Sequence, residues 1–227
     1  MRRGGGRLRN TLLAVLGGAL LALALAQLLL PGIVADRIAS RLGRYGSVQS
    51  VQVQAWPAVE LMWGSADAVE VRAGSLTMSA AQAASFLWEA RGTHRVGLSA
   101  TSVRLGRLRL GDVRLRKLGA TLGAEALTSE DDVRAALPRG VELALLGSAG
   151  GRVRVRASGG LFGVAASVEA VASASEGRLI AHPLAPLREG VELTLFSDPH
   201  VHVEGVSAGV VQGRPATYRL TLAASLR

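Results

Sequence analysis

The histidines are the side chains of this sequence that could bind a metal ion. There are four histidines and no cysteine among the 227 residues, which excludes thiolate sites and disulfides. His200 and His202 are one residue apart and Glu204 continues the row, so a β-strand would place all three on one face. Imidazole and carboxylate are zinc ligands, but an isolated histidine pair on a strand is more often a solvent-facing polar position. We therefore predict no metal site and no cofactor.

Nucleophilic catalysis has no recognisable signature in the chain. Residues 147–151 (GSAGG) resemble a nucleophile elbow or a phosphate-binding loop only superficially. The segment lacks the Gly-x-Ser-x-Gly order, no Lys-Ser or Lys-Thr pair follows it, and it lies between two segments with strand alternation. We predict a loop at this position and a protein that is not an enzyme.

Arginines give the chain its basic charge. The formal net charge is +9, and four arginines in the first nine residues contribute a large part of it. Arg152, Arg154 and Arg156 alternate along a predicted strand, as side chains that follow nucleic-acid phosphates do. Aromatic residues, on which bases would stack, are only 4% of the chain and are not interleaved with these arginines. We predict no nucleic-acid partner.

An apolar segment follows the first arginines. Gln27 is the only strongly polar residue between positions 12 and 30, and Pro31 with Gly32 is expected to end the segment. A helix of this length, at about 1.5 Å per residue, spans roughly the hydrocarbon core of a bilayer. The positive-inside bias places the N-terminus in the cytoplasm. The pattern predicts a single-pass anchor in the inner membrane.

A cleaved signal peptide is the alternative to an anchor. Residues 24–26 (ALA) have the small-x-small form of a cleavage site, so cleavage near Ala26 would release a secreted or periplasmic protein. Both alternatives divide the chain into residues 1–31, the anchor or signal segment, and residues 32–227, an extracytoplasmic β-rich domain.

Three helices are predicted within the domain. Apolar residues at helical spacing indicate the first over residues 33–42, before Gly43. The second begins at a capping box formed by Ser79 and Gln82 and ends near Gly92. The third has the acidic residues 130–132 in its first turn, extends to residue 137 and is ended by Pro138. Along the second helix, the expected buried face comprises Ala83, Phe86, Leu87 and Ala90.

Alternating apolar and polar residues predict strands over most of the remaining chain. Gly106 and Gly111 indicate bulges or tight turns, and Glu176-Gly177 indicates a hairpin turn. This pattern predicts an α+β fold in which a long, curved antiparallel sheet packs its apolar face against the helices. The predicted strands are 51–54, 69–72, 103–105, 108–110, 113–116, 141–145, 153–156, 164–171, 179–181, 191–195, 201–204 and 218–222.

Besides the N-terminal segment, several short phrases of the sequence form a recognisable series. They are 35–38 (ADRI), 53–57 (VQAWP), 63–71 (WGSADAVEV), 105–113 (LGRLRLGDV) and 176–179 (EGRL). Their order resembles that of the LmeA-type phospholipid-binding proteins, found mainly in actinobacterial envelopes, and the resemblance covers most of the domain. One departure is visible at residues 55–58 (AWPA), where the family usually has a Gly-Phe-Pro-Phe-like phrase.

This resemblance implies an extracytoplasmic protein that binds membrane phospholipid and supports lipid homeostasis or envelope biogenesis. It also implies a curved antiparallel sheet wrapped on one or two helices with an apolar groove, similar to tubular lipid-binding domains. A non-enzymatic structural or assembly subunit of an envelope or secretion complex, with a filled core, remains the alternative. Lipid contact is expected at Trp56, Trp63, Phe86, Leu87 and Trp88.

Overall fold

The computed structural model describes residues 25–138, 140–161, 164–184, 192–212 and 216–227. The described chain has an α+β fold with three α-helices and two open sheets. Helix α1 spans residues 25–43, α2 spans Ala80–Glu89 and α3 spans Glu130–Ala136. The strands are β1 (Gly46–Gln54), β2 (Ala66–Met78), β3 (Thr93–Leu105), β4 (Leu108–Leu118), β5 (Thr121–Ser129), β6 (Val141–Ala149), β7 (Arg152–Leu161), β8 (Val164–Ser175), β9 (Arg178–Pro183), β10 (Leu193–Phe196), β11 (Val201–Val210) and β12 (Thr217–Leu226).

The strands form two sheets where the sequence predicted one. The first has the order β1-β2-β3-β4-β5-β12-β11 and the second has the order β10-β9-β8-β7-β6. All pairings are antiparallel except that of β2 with β3. Parallel strands need a crossover connection, usually a helix. Helix α2 is that connection, because it follows β2 and returns the chain to the end of the sheet where β2 begins, so that β3 runs in the same direction. The predicted α+β class and the mainly antiparallel pairing are therefore confirmed, whereas the prediction of a single sheet with antiparallel pairs alone was wrong.

Helix α1 continues through Pro31 and Gly32, where the sequence predicted an end. A proline within a helix lacks the N–H that would bond the carbonyl four residues earlier, here that of Gln27. Packing of the following turns against the sheet compensates for this loss, because Val34, Ile38 and Leu42 lie against the core cluster of β1 and β2. Residues 12–24 of the predicted membrane segment lie outside the described residues. In the described part, no helix is both long enough and apolar enough to cross a membrane.

Several local predictions are confirmed. The Ser79 side chain accepts the Gln82 N–H and the Gln82 side chain accepts the Ser79 N–H, which is the expected capping box of α2. Glu176 and Gly177 have φ values of 51° and 78°, as a tight hairpin turn requires. The loop predicted over residues 147–151 is shorter than expected, since β6 runs to Ala149 and only the last two residues form the turn.

The hairpin turns of the second sheet are attached to β11, the edge strand of the first sheet. The Val203 N–H donates to the carbonyl of Gly177 at 2.9 Å, and the Val206 N–H donates to the carbonyl of Gly151 at 3.4 Å. Gly177 lies so close to β11 that an added Cβ would stand 2.0 Å from Nδ1 of His202. Close approach of the turn to β11 therefore depends on a residue without a side chain.

We expect the Gly177→Ala variant to lower the free energy of unfolding by more than about 2 kcal/mol. It combines left-handed backbone strain, roughly 1–3 kcal/mol, with the contact on His202. The matched control is Gly123→Ala in β5, where no atom lies within 4 Å of the added Cβ and φ is not left-handed. Urea denaturation of both variants is the measurement. Equal midpoints would show that the turn adjusts without loss.

Candidate functional site

An apolar cleft lies between α1, α2 and strands β1–β4 of the first sheet. Its volume is about 330 Å³, near the lower end of the roughly 300–1,000 Å³ typical of ligand pockets. Two charged side chains, Arg41 and Glu89, are among its lining residues and the others are uncharged. The lining is Val34, Ile38, Arg41, Leu42, Val53, Leu61, Gly64, Ser65, Ala66, Val69, Val71, Leu76, Met78, Ala83, Phe86, Leu87, Glu89, Ala90, Thr93, Val96, Leu98 and Leu115.

Helical periodicity builds two walls of this cleft. On α1, Val34, Ile38 and Leu42 follow each other at four-residue spacing and face the sheet. On α2, the four residues predicted as its buried face also line the cleft. Several of the lining residues, on different elements, have small side chains that leave space in the cleft. These are Gly64, Ser65, Ala66, Ala83 and Ala90.

A bidentate ion pair joins the two helices at the rim of the cleft. The Arg41 guanidinium of α1 donates to the Glu89 carboxylate of α2 through Nη1 at 2.6 Å and Nη2 at 2.9 Å. Both side chains line the cleft and about half of each is exposed, 53% and 42%, so the pair lies where the cleft meets solvent. The guanidinium carbon also lies 5.9 Å from the centre of the Phe86 ring.

The match to known families agrees with this geometry. A model of LmeA-like phospholipid-binding proteins matches residues 21–221, which include both sheets except the second half of β12. The chain belongs to this family. Neither a curated protein nor a solved structure matches it. The family resemblance inferred from the sequence is thus confirmed, and membership points to phospholipid as the ligand.

The structure of this LmeA-like chain places the five predicted lipid-contact residues at different sites. Phe86 and Leu87 line the cleft. Trp56 is 74% exposed and borders a shallow recess elsewhere. Trp88 packs against the His200 ring, with 4.3 Å between ring centres, and its side chain is absent from the cleft wall. The side chain of Trp63 lies outside the described residues. Lipid contact at these residues stays a prediction.

Sequence reasoning missed three contributors to the cleft of the LmeA-like chain. Helix α1 was predicted, but its position over β1 and β2 was not. Arg41 and Glu89 were not singled out, because residues 48 positions apart give no local signal that they form a pair. The regular spacing of Val34, Ile38 and Leu42 was the available signal that α1 has one apolar face.

The two histidines considered for metal binding have other contacts. Nδ1 of His200 lies 3.3 Å from a carboxylate oxygen of Asp198, and Nε2 of His202 lies 3.2 Å from the Arg227 guanidinium. Within the described ranges, no group of three or more metal-ligating side chains could hold a metal ion.

Lys117 is the single lysine of the LmeA-like chain, and it is buried beside the cleft. Its Nζ donates to the carbonyls of Thr93 and Arg91, the latter at 3.3 Å, so it joins β4 to the segment that follows α2. Only 3% of the residue is exposed, and burial lowers the pKa of its ammonium group. Lys117 therefore fixes the segment from Arg91 to Thr93, and Thr93 is part of the cleft lining.

Proposed function

We propose that the chain is a non-enzymatic, extracytoplasmic phospholipid-binding protein of the bacterial cell envelope that holds an acyl chain in the cleft. The observation that carries this proposal is the apolar cleft of about 330 Å³ in a member of the LmeA-like family. Each methylene group moved from water into such a site contributes about 0.8 kcal/mol. By binding phospholipid in the envelope, the protein would support lipid homeostasis or envelope biogenesis.

The size of the cleft determines how a phospholipid would lie. With a volume near the lower limit of ligand pockets, the cleft has room for acyl-chain segments and leaves a polar head group outside. The lining agrees with this division, because apolar side chains form the interior and the two charged ones lie at the rim. The head group would therefore be at the Arg41 end.

Native mass spectrometry of the full chain tests lipid binding. The chain is released from a mild detergent in the spectrometer, and lipid is extracted from the same preparation. A stoichiometric phospholipid adduct is the expected result. A bare mass that stays bare after incubation with phospholipid vesicles would contradict the proposal and favour the structural or assembly subunit, which has no lipid to retain.

The extracytoplasmic location is supported by the N-terminal sequence, in which arginines precede an apolar segment. We propose that residues 1–31 either anchor the protein in the cell membrane or are removed near Ala26. A C-terminal alkaline phosphatase fusion should be active, since this enzyme needs an oxidising compartment. N-terminal sequencing of the mature chain then distinguishes the anchored from the cleaved form.

The end of the domain that carries the start of α1 is the surface proposed to face the membrane. Leu28 is 77% exposed there. Gln27 holds the helix to the neighbouring loop, since it donates to the Ala55 carbonyl at 2.9 Å and accepts the Ala58 N–H at 2.6 Å. Trp56 lies between these two loop residues. Tryptophan is favoured at the head-group level of membranes, which supports contact at this end.

We expect Trp56 to supply most of the tryptophan fluorescence that brominated phospholipids quench in reconstituted protein. Its exposed ring would reach the bilayer, whereas Trp88 is covered by His200 and Arg91. The Trp56→Phe variant should lose most of the quenchable emission, and the Trp88→Phe variant should keep it. Unchanged quenching in Trp56→Phe would place another part of the domain at the membrane.

A further inference from the structure

The guanidinium of Arg41 connects the apolar cleft with a basic recess on the outer side of α1. This recess is shallow and is lined by Ile33, Asp36, Arg37, Ser40, Arg41 and Arg44. Three of these residues are arginines and one is an acid, so the recess has an excess of positive charge. Arg41 is shared by the recess and the cleft.

The partner of Arg41 in the structure is a carboxylate that a phosphate can replace. The planar guanidinium presents two parallel N–H groups, and Glu89 accepts both of them. Carboxylate and phosphate oxygens fit this fork equally well. Both side chains are about half exposed, and an exposed ion pair contributes only about 0–1 kcal/mol, so exchange of one anion for another costs little.

We propose that the phosphate of a bound phospholipid replaces the Glu89 carboxylate on Arg41, with Arg37 and Arg44 adding positive charge beside it. This inference rests on the proposed function, because it supplies the head-group site for a lipid whose acyl chain occupies the cleft. The exchange also opens the contact between α1 and α2 at the rim. The Arg41–Glu89 pair thus joins α1 to α2 at the rim of the cleft, and the lipid phosphate would take the place of Glu89 in this pair.

A comparison of two lipids with the same acyl chains tests the assignment. Phosphatidylglycerol carries a phosphate and diacylglycerol does not, and both are loaded on the full chain and measured by native mass spectrometry. In Arg41→Gln we expect retention of phosphatidylglycerol to fall about tenfold or more and retention of diacylglycerol to change less than twofold. In Glu89→Gln, which removes the competing carboxylate, phosphatidylglycerol retention should rise severalfold.

Arg104→Gln is the matched control, since it removes an exposed arginine of β3 that is absent from both the cleft and the recess. It should retain both lipids as the wild-type chain does. Thermal unfolding of each variant excludes a general loss of structure. Excess inorganic phosphate should leave the lipid bound, because the acyl chain in the cleft contributes affinity that free phosphate lacks.

The outcomes separate this inference from the function on which it rests. Equal retention of phosphatidylglycerol by wild type and Arg41→Gln, or an equal loss of both lipids in that variant, overturns the phosphate site alone. A fall in retention in Glu89→Gln also overturns it, because Glu89 would then assist binding. Failure of the wild-type chain to retain either lipid overturns the proposed function and the phosphate site together.

Discussion

The Ala83→Phe variant is expected to lose phospholipid binding and keep its fold. Ala83 lies on α2 and lines the cleft, so a phenyl ring at this position occupies space that an acyl chain would use. Loss of several methylene contacts at about 0.8 kcal/mol each corresponds to a fall in affinity of well over tenfold. Native mass spectrometry and lipid extraction should show little or no phospholipid on the variant.

Ala81→Phe is the control for this experiment. Ala81 is on the same helix but is exposed and absent from the cleft, so the same change should leave lipid retention as it is in wild type. The melting temperature of Ala83→Phe should be equal to or above that of the lipid-free wild type, because the ring fills an open space. Full lipid retention by Ala83→Phe would place the acyl chain elsewhere.

The Lys117→Ala variant should show the largest loss of stability among the polar substitutions considered. It leaves the carbonyls of Arg91 and Thr93 without their donor and removes the buried side-chain stem. The buried Thr93 carbonyl left without this donor costs about 1–3 kcal/mol and loss of the buried stem adds to this, so we expect a fall of roughly 2–4 kcal/mol in the free energy of unfolding. Urea denaturation near neutral pH is the measurement.

Lys117→Met separates the two contributions and allows a test of pH dependence. It keeps the apolar stem, so its loss should be smaller than that of the alanine variant. The pKa of Lys117 is lowered from 10.5 by burial, so between the folded pKa and 10.5 the unfolded chain binds more protons. Wild-type stability should therefore rise with pH in this interval relative to Lys117→Met. A parallel pH profile for both would show that Lys117 titrates as it does in the unfolded chain.

The elements of the fold were largely predictable because their signals are local. The capping box of Ser79 and Gln82 fixes the start of α2 through contacts three residues apart. The turn at Glu176-Gly177 likewise needs only its own backbone angles. The end predicted at Pro31 failed because the packing of α1 on the sheet, which no local rule includes, outweighs one missing hydrogen bond.

The division into two sheets could not be predicted in the same way. One-sided alternation shows that a strand has an apolar face, but it does not show which strand lies beside it. Strand β12 pairs with β5 across almost a hundred residues, from Thr217 with Ser129 to Ser225 with Thr121. The parallel pairing of β2 with β3 depends on the return path through α2. Both features depend on contacts between residues far apart in the sequence, and no local sequence pattern indicates such contacts.

The cleft illustrates a further limit of sequence reasoning. The four residues predicted as the buried face of α2 line the cleft, but Ala84, the buried residue of this helix, was not among them. The same four residues would line a filled core or an open cleft. The difference depends on how α1 and α2 pack over the sheet and on small lining residues such as Gly64 and Ala90, which lie on different elements. Trp56 was grouped with the cleft by its residue type, yet its backbone position directs it to the surface.

The burial of the single lysine has a practical consequence for handling the protein. Reagents that acylate amines have little access to Nζ of Lys117, because this side chain is buried. The other cationic side chains are arginines, which such reagents leave intact. In the folded chain, the N-terminal amine is therefore the group that these reagents modify. Coupling to an activated sensor surface would attach every molecule through this single amine, and thus by the same end of the chain.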